Sequence, residues 1–270
     1  MRAFQRTPIL FLALMFFGLG AAVPLADEGP AGRPPLPLPT SIVPVDRMEL
    51  DFWRERHEAN KARIAEGNVD LLLLGDSITH FWDTAGREVE EYYYGDRNCV
   101  NMGIASDRTE HLLWRLGDLP MDKIHPKAAM LLIGHNNLWV NTPQENVLGI
   151  KANVDKLHEL FPGMPILVLK IFPGGDKKLL KRIAEVNALI TEQVQEDDSI
   201  TLMDLSDLWV DRRGKIIADR LPDTVHPSEL GYKLWGAAVE PVLAERLGAE
   251  EKPKMKYPTV LRIALSREQT

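Results

Sequence analysis

The sequence predicts a three-layer α/β/α fold, flavodoxin-like, around a parallel sheet of about five strands. Apolar runs at 69–74 (VDLLLL), 128–133 (AAMLLI), 165–171 (PILVLKI) and 199–204 (SITLMD), with a shorter one at 98–102 (NCVNM), read as strands. The longer runs are continuous rather than alternating, as in strands covered on both faces. Helical stretches separate them, which favours parallel strands joined by crossover helices. Turns at Gly75-Asp76-Ser77, Gly103 and Gly134-His135-Asn136 follow the strand ends, where sheets of this kind receive ligands.

Taken in order, the chain opens with an expected signal peptide at 1–26. Arg2 and Arg6 precede an apolar stretch from Ile9, and small residues cluster from Gly20 to Ala26. Export to a periplasmic or extracellular space is the expectation, with no stable membrane association after cleavage. The alternative is an uncleaved N-terminal anchor, because the run approaches the roughly 20 residues that span a bilayer. Residues 27–45 form a proline-rich linker, and the folded domain is expected over 46–248. Met48, Phe52, His57 and Ile64 recur at helical intervals and predict a first helix ending near Gly67. A last helix is expected from Pro227, a favoured first helical residue, to Leu247, stopped by Gly248. The tail, 249–270, holds a basic hinge and a strand-like run at 259–265, and its residues suggest no function.

Composition narrows the partners. A chain of 270 residues with 45% hydrophobic content can bury one full α/β core. A net charge of −7 with no long Lys/Arg run excludes nucleic acid or an anionic membrane as the main partner. A small molecule or a neutral polymer fits better. Cys99 is the only cysteine, so no internal disulfide forms. His80, His125 and His158 lack the spacing of a metal site, and neither metal nor cofactor is expected. His111 and Trp114 fall at the spacing of a packed helix face.

Chemistry concentrates in four stretches. A serine hydroxyl attacks an ester only when a base removes its proton and a carboxylate orients that base. Ser77 in LLLLGDSITHFW is the candidate nucleophile, and Asp223 and His226 in LPDTVHPSELGY are the candidate acid and base. The tetrahedral intermediate also needs preorganised donors. Candidates are the Ser77 N–H, the Gly103 N–H and the Asn136 side-chain amide. Blander readings stand beside each: Ser77 or His226 as a helix cap, Asp223 as a solvated carboxylate, Asn136 as a turn residue, Gly103 as a strand end. Asp76 is assigned to local hydrogen bonding, and Trp139 either lines the cleft or packs.

Gly-Asp-Ser after the first strand, Gly103, Gly134-x-Asn136 and Asp223-x-x-His226 stand in the order of the four blocks of the SGNH (GDSL) hydrolases, and residues 46–247 resemble that family. NMGIASDRTEHLLWRL, IHPKAAMLLIGHNN and DTVHPSELGYKLW are similar to the branch containing the catalytic subunits of intracellular platelet-activating factor acetylhydrolase. The resemblance implies Ser77 as nucleophile, His226 as base, Asp223 as its orienting acid, and an oxyanion hole of Ser77, Gly103 and Asn136, with a flavodoxin-like sheet and no metal. Two departures lie beside that hole: His135 replaces a small residue such as Thr, and Ala105-Ser106 replace a Gly-Gly pair. The related subunits pair, so a homodimer is an open expectation.

Ile78, His135 and Val225 neighbour the proposed reactive groups and are the candidate walls of an acyl pocket, whose bulk favours acetyl. The expected protein is an exported serine esterase acting on short acyl esters of glycans or other small extracellular molecules. A lysophospholipase or platelet-activating-factor-type lipid esterase is the alternative, as is a non-catalytic binding module that has lost a triad member, although none is missing. A flavin carrier would need a phosphate loop, which bulky Ile78, His80 and Phe81 exclude.

Overall fold

Leucine side chains at 71–74 alternate across the pleat of the first strand, and both sides are covered. Leu71 and Leu73 face one apolar cluster while Leu72 and Leu74 face the other, and all four are completely buried. Burial at this level contributes about 1.5–3 kcal/mol per leucine. A computed structural model describes residues 37–194 and 197–255. The expected signal peptide, most of the expected linker and the 259–265 run lie outside the described residues.

The strands are β1 (Leu71–Gly75), β2 (Cys99–Asn101), β3 (Ala128–Leu132), β4 (Ile166–Leu169) and β5 (Ile200–Met203), all parallel, in the order β2-β1-β3-β4-β5. The helices are α1 (Asp51–Ala65), α2 (Ser77–His80), α3 (Arg87–Tyr94), α4 (Thr109–Asp118), α5 (Pro143–Leu160), α6 (Lys177–Val194) and α7 (Glu229–Leu247). Residues of α1, α4, α5 and α6 join the first cluster, and those of α2, α3 and α7 the second. The sheet therefore lies between two helical layers, as the uninterrupted apolar runs predict. Chain direction reverses its lateral course between β1 and β3, which opens a crevice at their carboxyl ends.

Two boundaries differ from expectation. The compact unit begins at Leu38, not Asp46. Within 38–45, Ser41 is fully buried, its hydroxyl donates to Glu145 O at 2.5 Å, and its carbonyl accepts from Thr109 Oγ1 at 2.9 Å. Proline density reads as a linker, but two short polar side chains fasten the second half to α4 and α5. At the other end, Pro227 precedes the last helix. Ser228 is its N-cap, accepting from Gly231 N at 3.2 Å, and the helix starts at Glu229.

The start of the tail is packed. Arg97 and Glu240 form a buried two-pronged ion pair at 2.7 Å for each contact, and the Lys252 N–H donates to the same carboxylate at 2.7 Å. Lys252 Nζ reaches Tyr92 O and Asp96, and Tyr92 Oη donates to Pro253 O at 2.8 Å. Residues 250–253 thus strap α7 to α3.

Candidate active site

Asp76, not Ser77, caps α2. Its Oδ1 accepts from Ile78 N at 3.0 Å, which places Ser77 at the first helical position with its hydroxyl released from capping. Burial pushes the Asp76 carboxyl up to about 7, with the nearby Asp107 charge adding to the rise and the Ile78 N–H opposing it.

The freed hydroxyl meets the loop before α7. Ser77 Oγ lies 2.9 Å from His226 Nε2, and His226 Nδ1 lies 2.6 Å from Asp223 Oδ2. Asp223 Oδ1 accepts the backbone N–H of His226 at 2.7 Å and of Val225 at 2.9 Å. Partial burial raises the Asp223 carboxyl, yet hydrogen bonds from the His226 backbone and ring and from Val225 outweigh it and hold the group below its usual range. A charged carboxylate on Nδ1 fixes that nitrogen as the donor and leaves Nε2 to accept from the serine. Two contacts brace the arrangement: Tyr232 Oη of α7 donates to Ile78 O at 2.7 Å, and the Phe81 ring centres 5.1 Å from the His226 ring. The three groups can therefore move a proton from Ser77 to His226 while Asp223 steadies the resulting positive charge.

The expected oxyanion donors divide. Ser77 N–H, at the start of α2, has no acceptor among the described residues. Asn136 opens a short 3-10 turn after β3; its Nδ2 donates to Asp107 O at 2.9 Å, which uses one amide hydrogen and leaves the other. Gly103 requires a correction. Its N–H is spent on Asn101 Oδ1 at 2.9 Å, so it is not a free donor. A glycine stands there for steric reasons: a Cβ would lie 2.2 Å from His80 N and 2.8 Å from His80 Cα. Strand β2 can approach α2 only with hydrogen at that position.

A donor that the sequence reading missed stands three residues on. Ser106 has φ +65°, and its N–H has no acceptor among the described residues, whereas its carbonyl is held by Arg47 Nη1 at 3.0 Å. Its loop lies between the Ser77 and Asn136 segments, because Ala105 N donates to His80 Nδ1 at 3.2 Å and Asp107 O accepts from Asn136. The signal was present in the sequence: Ala105-Ser106 stand where the resembled family has two glycines, and a glycine pair often marks a left-handed backbone.

The expected pocket walls also separate. Ile78 is 1% exposed and packs into the core with the Trp82 and Tyr232 side of the sheet, which corrects its assignment as a wall. Val225 is half-buried and packs against the same cluster. His135 is buried beside the reactive pair. Burial, and then the neighbouring His226, press its pKa down to about 4, against the pull of Asp223, so its ring is neutral. Its Nδ1 is buried without a partner. Trp139, by contrast, is 69% exposed, so it does not pack. Among the described residues, no group of three or more His, Cys, Asp or Glu side chains could hold a metal ion, and no helix is long and apolar enough to cross a membrane.

Comparison with known proteins agrees with this architecture. A model of the GDSL-like lipase/acylhydrolase family matches residues 73–234. The alpha2 subunit of platelet-activating factor acetylhydrolase IB from Rattus norvegicus is 28% identical over 212 residues, covering 78% of this chain and 90% of that protein. The beta subunit homolog from Drosophila melanogaster is 31% identical over 160 residues, covering 59% and 68%. A GDSL-like lipase from Bacteroides thetaiotaomicron superposes with a TM-score of 0.59 at 14% identity, covering 71% of this chain and 97% of that one. The chain belongs to the GDSL-like lipase/acylhydrolase family. Its activity is the hydrolysis of ester bonds.

Proposed function

We propose that the protein removes short acyl groups, acetyl above all, through an acyl-enzyme on Ser77. The hydroxyl attacks the ester carbonyl as its proton passes to His226 Nε2, with Asp223 holding Nδ1. Negative charge on the carbonyl oxygen is met by the Ser77 N–H, the Ser106 N–H and the free Asn136 amide hydrogen. Collapse breaks the bond to the alcohol, which leaves with the proton from His226. Water then attacks the acyl-Ser77 ester, giving its proton to the same imidazole, and the carboxylic acid departs as Ser77 recovers its hydrogen. The single observation that carries this reading is the hydrogen-bonded chain from Ser77 through His226 to Asp223, at 2.9 and 2.6 Å.

The neutral, buried His135 beside the reactive pair supports a short acyl cavity. The exposed Trp139, three residues after Asn136, supports an alcohol portion with a flat face, such as a sugar ring. Residues 1–26, as a signal peptide, make an extracellular or periplasmic glycan ester the proposed substrate. A second reading is favoured by the relatives, whose names describe acetyl removal from a lipid mediator. The test measures acetate release from acetylated polysaccharide and from an acetyl-ester phospholipid, with p-nitrophenyl esters of two, four and eight carbons in parallel. The expected result is activity that falls steeply beyond two carbons and release from the polysaccharide. Preference for the eight-carbon ester removes the acetyl assignment, and release from the phospholipid alone replaces the glycan.

A further inference from the structure

The 102–107 turn between β2 and α4 carries a buried ion pair that the reaction steps do not use. Arg115 of α4 and Asp107 are both completely inaccessible to solvent. Arg115 Nε and Nη2 reach Asp107 Oδ2 at 2.9 and 2.7 Å, and Nη1 donates to Met102 O at 2.7 Å. Trp53 of α1, also fully buried, donates from Nε1 to the remaining carboxylate oxygen, Asp107 Oδ1, at 2.6 Å. One guanidinium therefore grips both ends of the turn, at Met102 and Asp107.

Asp107 couples that grip to the site. Its side chain is held by Arg115 and Trp53, and its carbonyl accepts the Asn136 amide at 2.9 Å. Its backbone N–H closes the turn on Ile104 O at 3.2 Å, with Ser106 and its unpaired N–H inside. Two further arginines hold the outside of the same segment: Arg56 donates to Asn101 O and Gly103 O at 3.1 and 3.2 Å, and Arg47 donates to Ser106 O. Three carbonyls of the segment, and that of Asn101 just before it, are thus taken by arginines, while the Ser106 N–H has no acceptor among the described residues.

Stability alone does not account for a pair buried this deeply. Desolvation of both charges costs about as much as their attraction returns, and an apolar replacement of equal volume is often neutral or better. Preorganised donors, however, derive their value from being fixed before charge develops. We propose that Arg115, Asp107 and Trp53 are positioning residues, a buried clamp that sets the Ser106 N–H and the Asn136 amide in place for the oxyanion. This inference rests on the acyl-enzyme reading above.

The experiment uses the full chain with p-nitrophenyl acetate, comparing Trp53→Phe and Arg115→Lys, each alone and combined with Asn136→Ala, after a circular-dichroism melt has identified the folded variants. Trp53→Phe removes one donor and leaves the ion pair, so it decides the matter where Arg115→Lys fails to fold. Expected are a fall in kcat of about tenfold for Trp53→Phe and about a hundredfold for Arg115→Lys, a fraction of what a whole oxyanion donor supplies, with KM within threefold. In the Asn136→Ala background each substitution should cost less than a third of its factor, because residues acting through one unit are not additive. A folded Trp53→Phe enzyme with unchanged kcat, a loss confined to KM, or full additivity with Asn136→Ala overturns the clamp. Full activity in Ser77→Ala, measured alongside, overturns instead the acyl-enzyme reading on which it rests.

Discussion

Among the described residues, two clusters bring a serine, a histidine and an aspartate within reach of one another, and one of the two is built for attack. At the first, Ser77 Oγ touches His226 alone at 2.9 Å, and His226 holds Asp223 at 2.6 Å. At the second, Ser199 Oγ lies 3.0 Å from His158 Nε2, but it also lies 2.5 Å from Asp197 Oδ1, while His158 Nδ1 stands 3.7 Å from Asp197 Oδ2. There the carboxylate competes with the imidazole for the hydroxyl proton and leaves the ring's far nitrogen loosely held. The Ser199 N–H is also spent on Asp197 Oδ1 at 3.0 Å. Ser199 precedes β5, at the amino end of the sheet, whereas Ser77 follows β1 at the carboxyl end with unpaired N–H groups nearby. The identity of three residues is thus a weak criterion. What separates the clusters is the order in which the groups are bonded and whether spare donors surround the serine.

The largest expected effect tests that contrast directly. Ser77→Ala should lower kcat on p-nitrophenyl acetate by about 10⁴- to 10⁶-fold, while Ser199→Ala stays within about twofold, as surface changes do. Equal effects would erase the distinction. Next comes the orienting acid. Asp223→Asn should cost about 10³- to 10⁴-fold in kcat, since an amide no longer fixes the His226 tautomer, and Asp197→Asn should leave the rate alone. Asn136→Ala should cost about 10²- to 10³-fold in kcat with little change in KM, as the loss of one oxyanion donor does; the second cluster has no counterpart to remove.

The smallest effect concerns the acids beside the two serines, which titrate in opposite directions. Asp76 is buried and raised to about 7, whereas Asp197 is held low, first by the Ser199 hydroxyl. A raised carboxyl contributes stability that is present below its ordinary pKa of 3.8 and is lost as pH rises through about 7. Asp76→Asn keeps an acceptor for Ile78 N and has no charge to bury. Its stability relative to the parent, read from thermal melts, should therefore climb between pH 5 and pH 8.5 by on the order of a few kcal/mol. Asp197→Asn should show the opposite and weaker trend, losing ground above the acid range, because its side chain is 41% exposed and well solvated. A flat difference for Asp76→Asn would remove the buried-acid account of the α2 cap.

Much of this was legible in the sequence where the physics is local. Uninterrupted apolar runs specified strands covered on both faces, and glycine-bearing turns located the end of the sheet that matters. What sequence could not show depends on partners far along the chain. Gly103 looks like a donor until Asn101 turns its side chain back on the N–H. Ser106 carries only an indirect sign, the family glycine pair it stands in for, and its left-handed backbone completes the reading. Arg115 carries no mark of its burial in the sequence, since arginine is seldom fully buried without a partner, and that partner, Asp107, sits in a loop eight residues earlier. Ile78 follows Ser77 and reads from sequence as a pocket wall, yet a helical turn at Ser77–His80 sends it into the core. The cluster at Ser199 left no mark either, because His158 lies 41 residues upstream on α5 while Ser199 sits in the turn before β5.

The seating of Thr40 and Ser41 sets how far the amino-terminal side of the domain can be shortened. Thr40 Oγ1 accepts from Asn141 Nδ2 at 2.9 Å, and Asn141 Oδ1 in turn accepts from Asn137, the residue after Asn136. Ser41 closes the same seam against Glu145 and Thr109. A chain shortened to Leu38 keeps all of these contacts. One shortened by three residues more loses the Thr40 hydroxyl, and with it the acceptor that holds Asn141 against Asn137, one residue from Asn136.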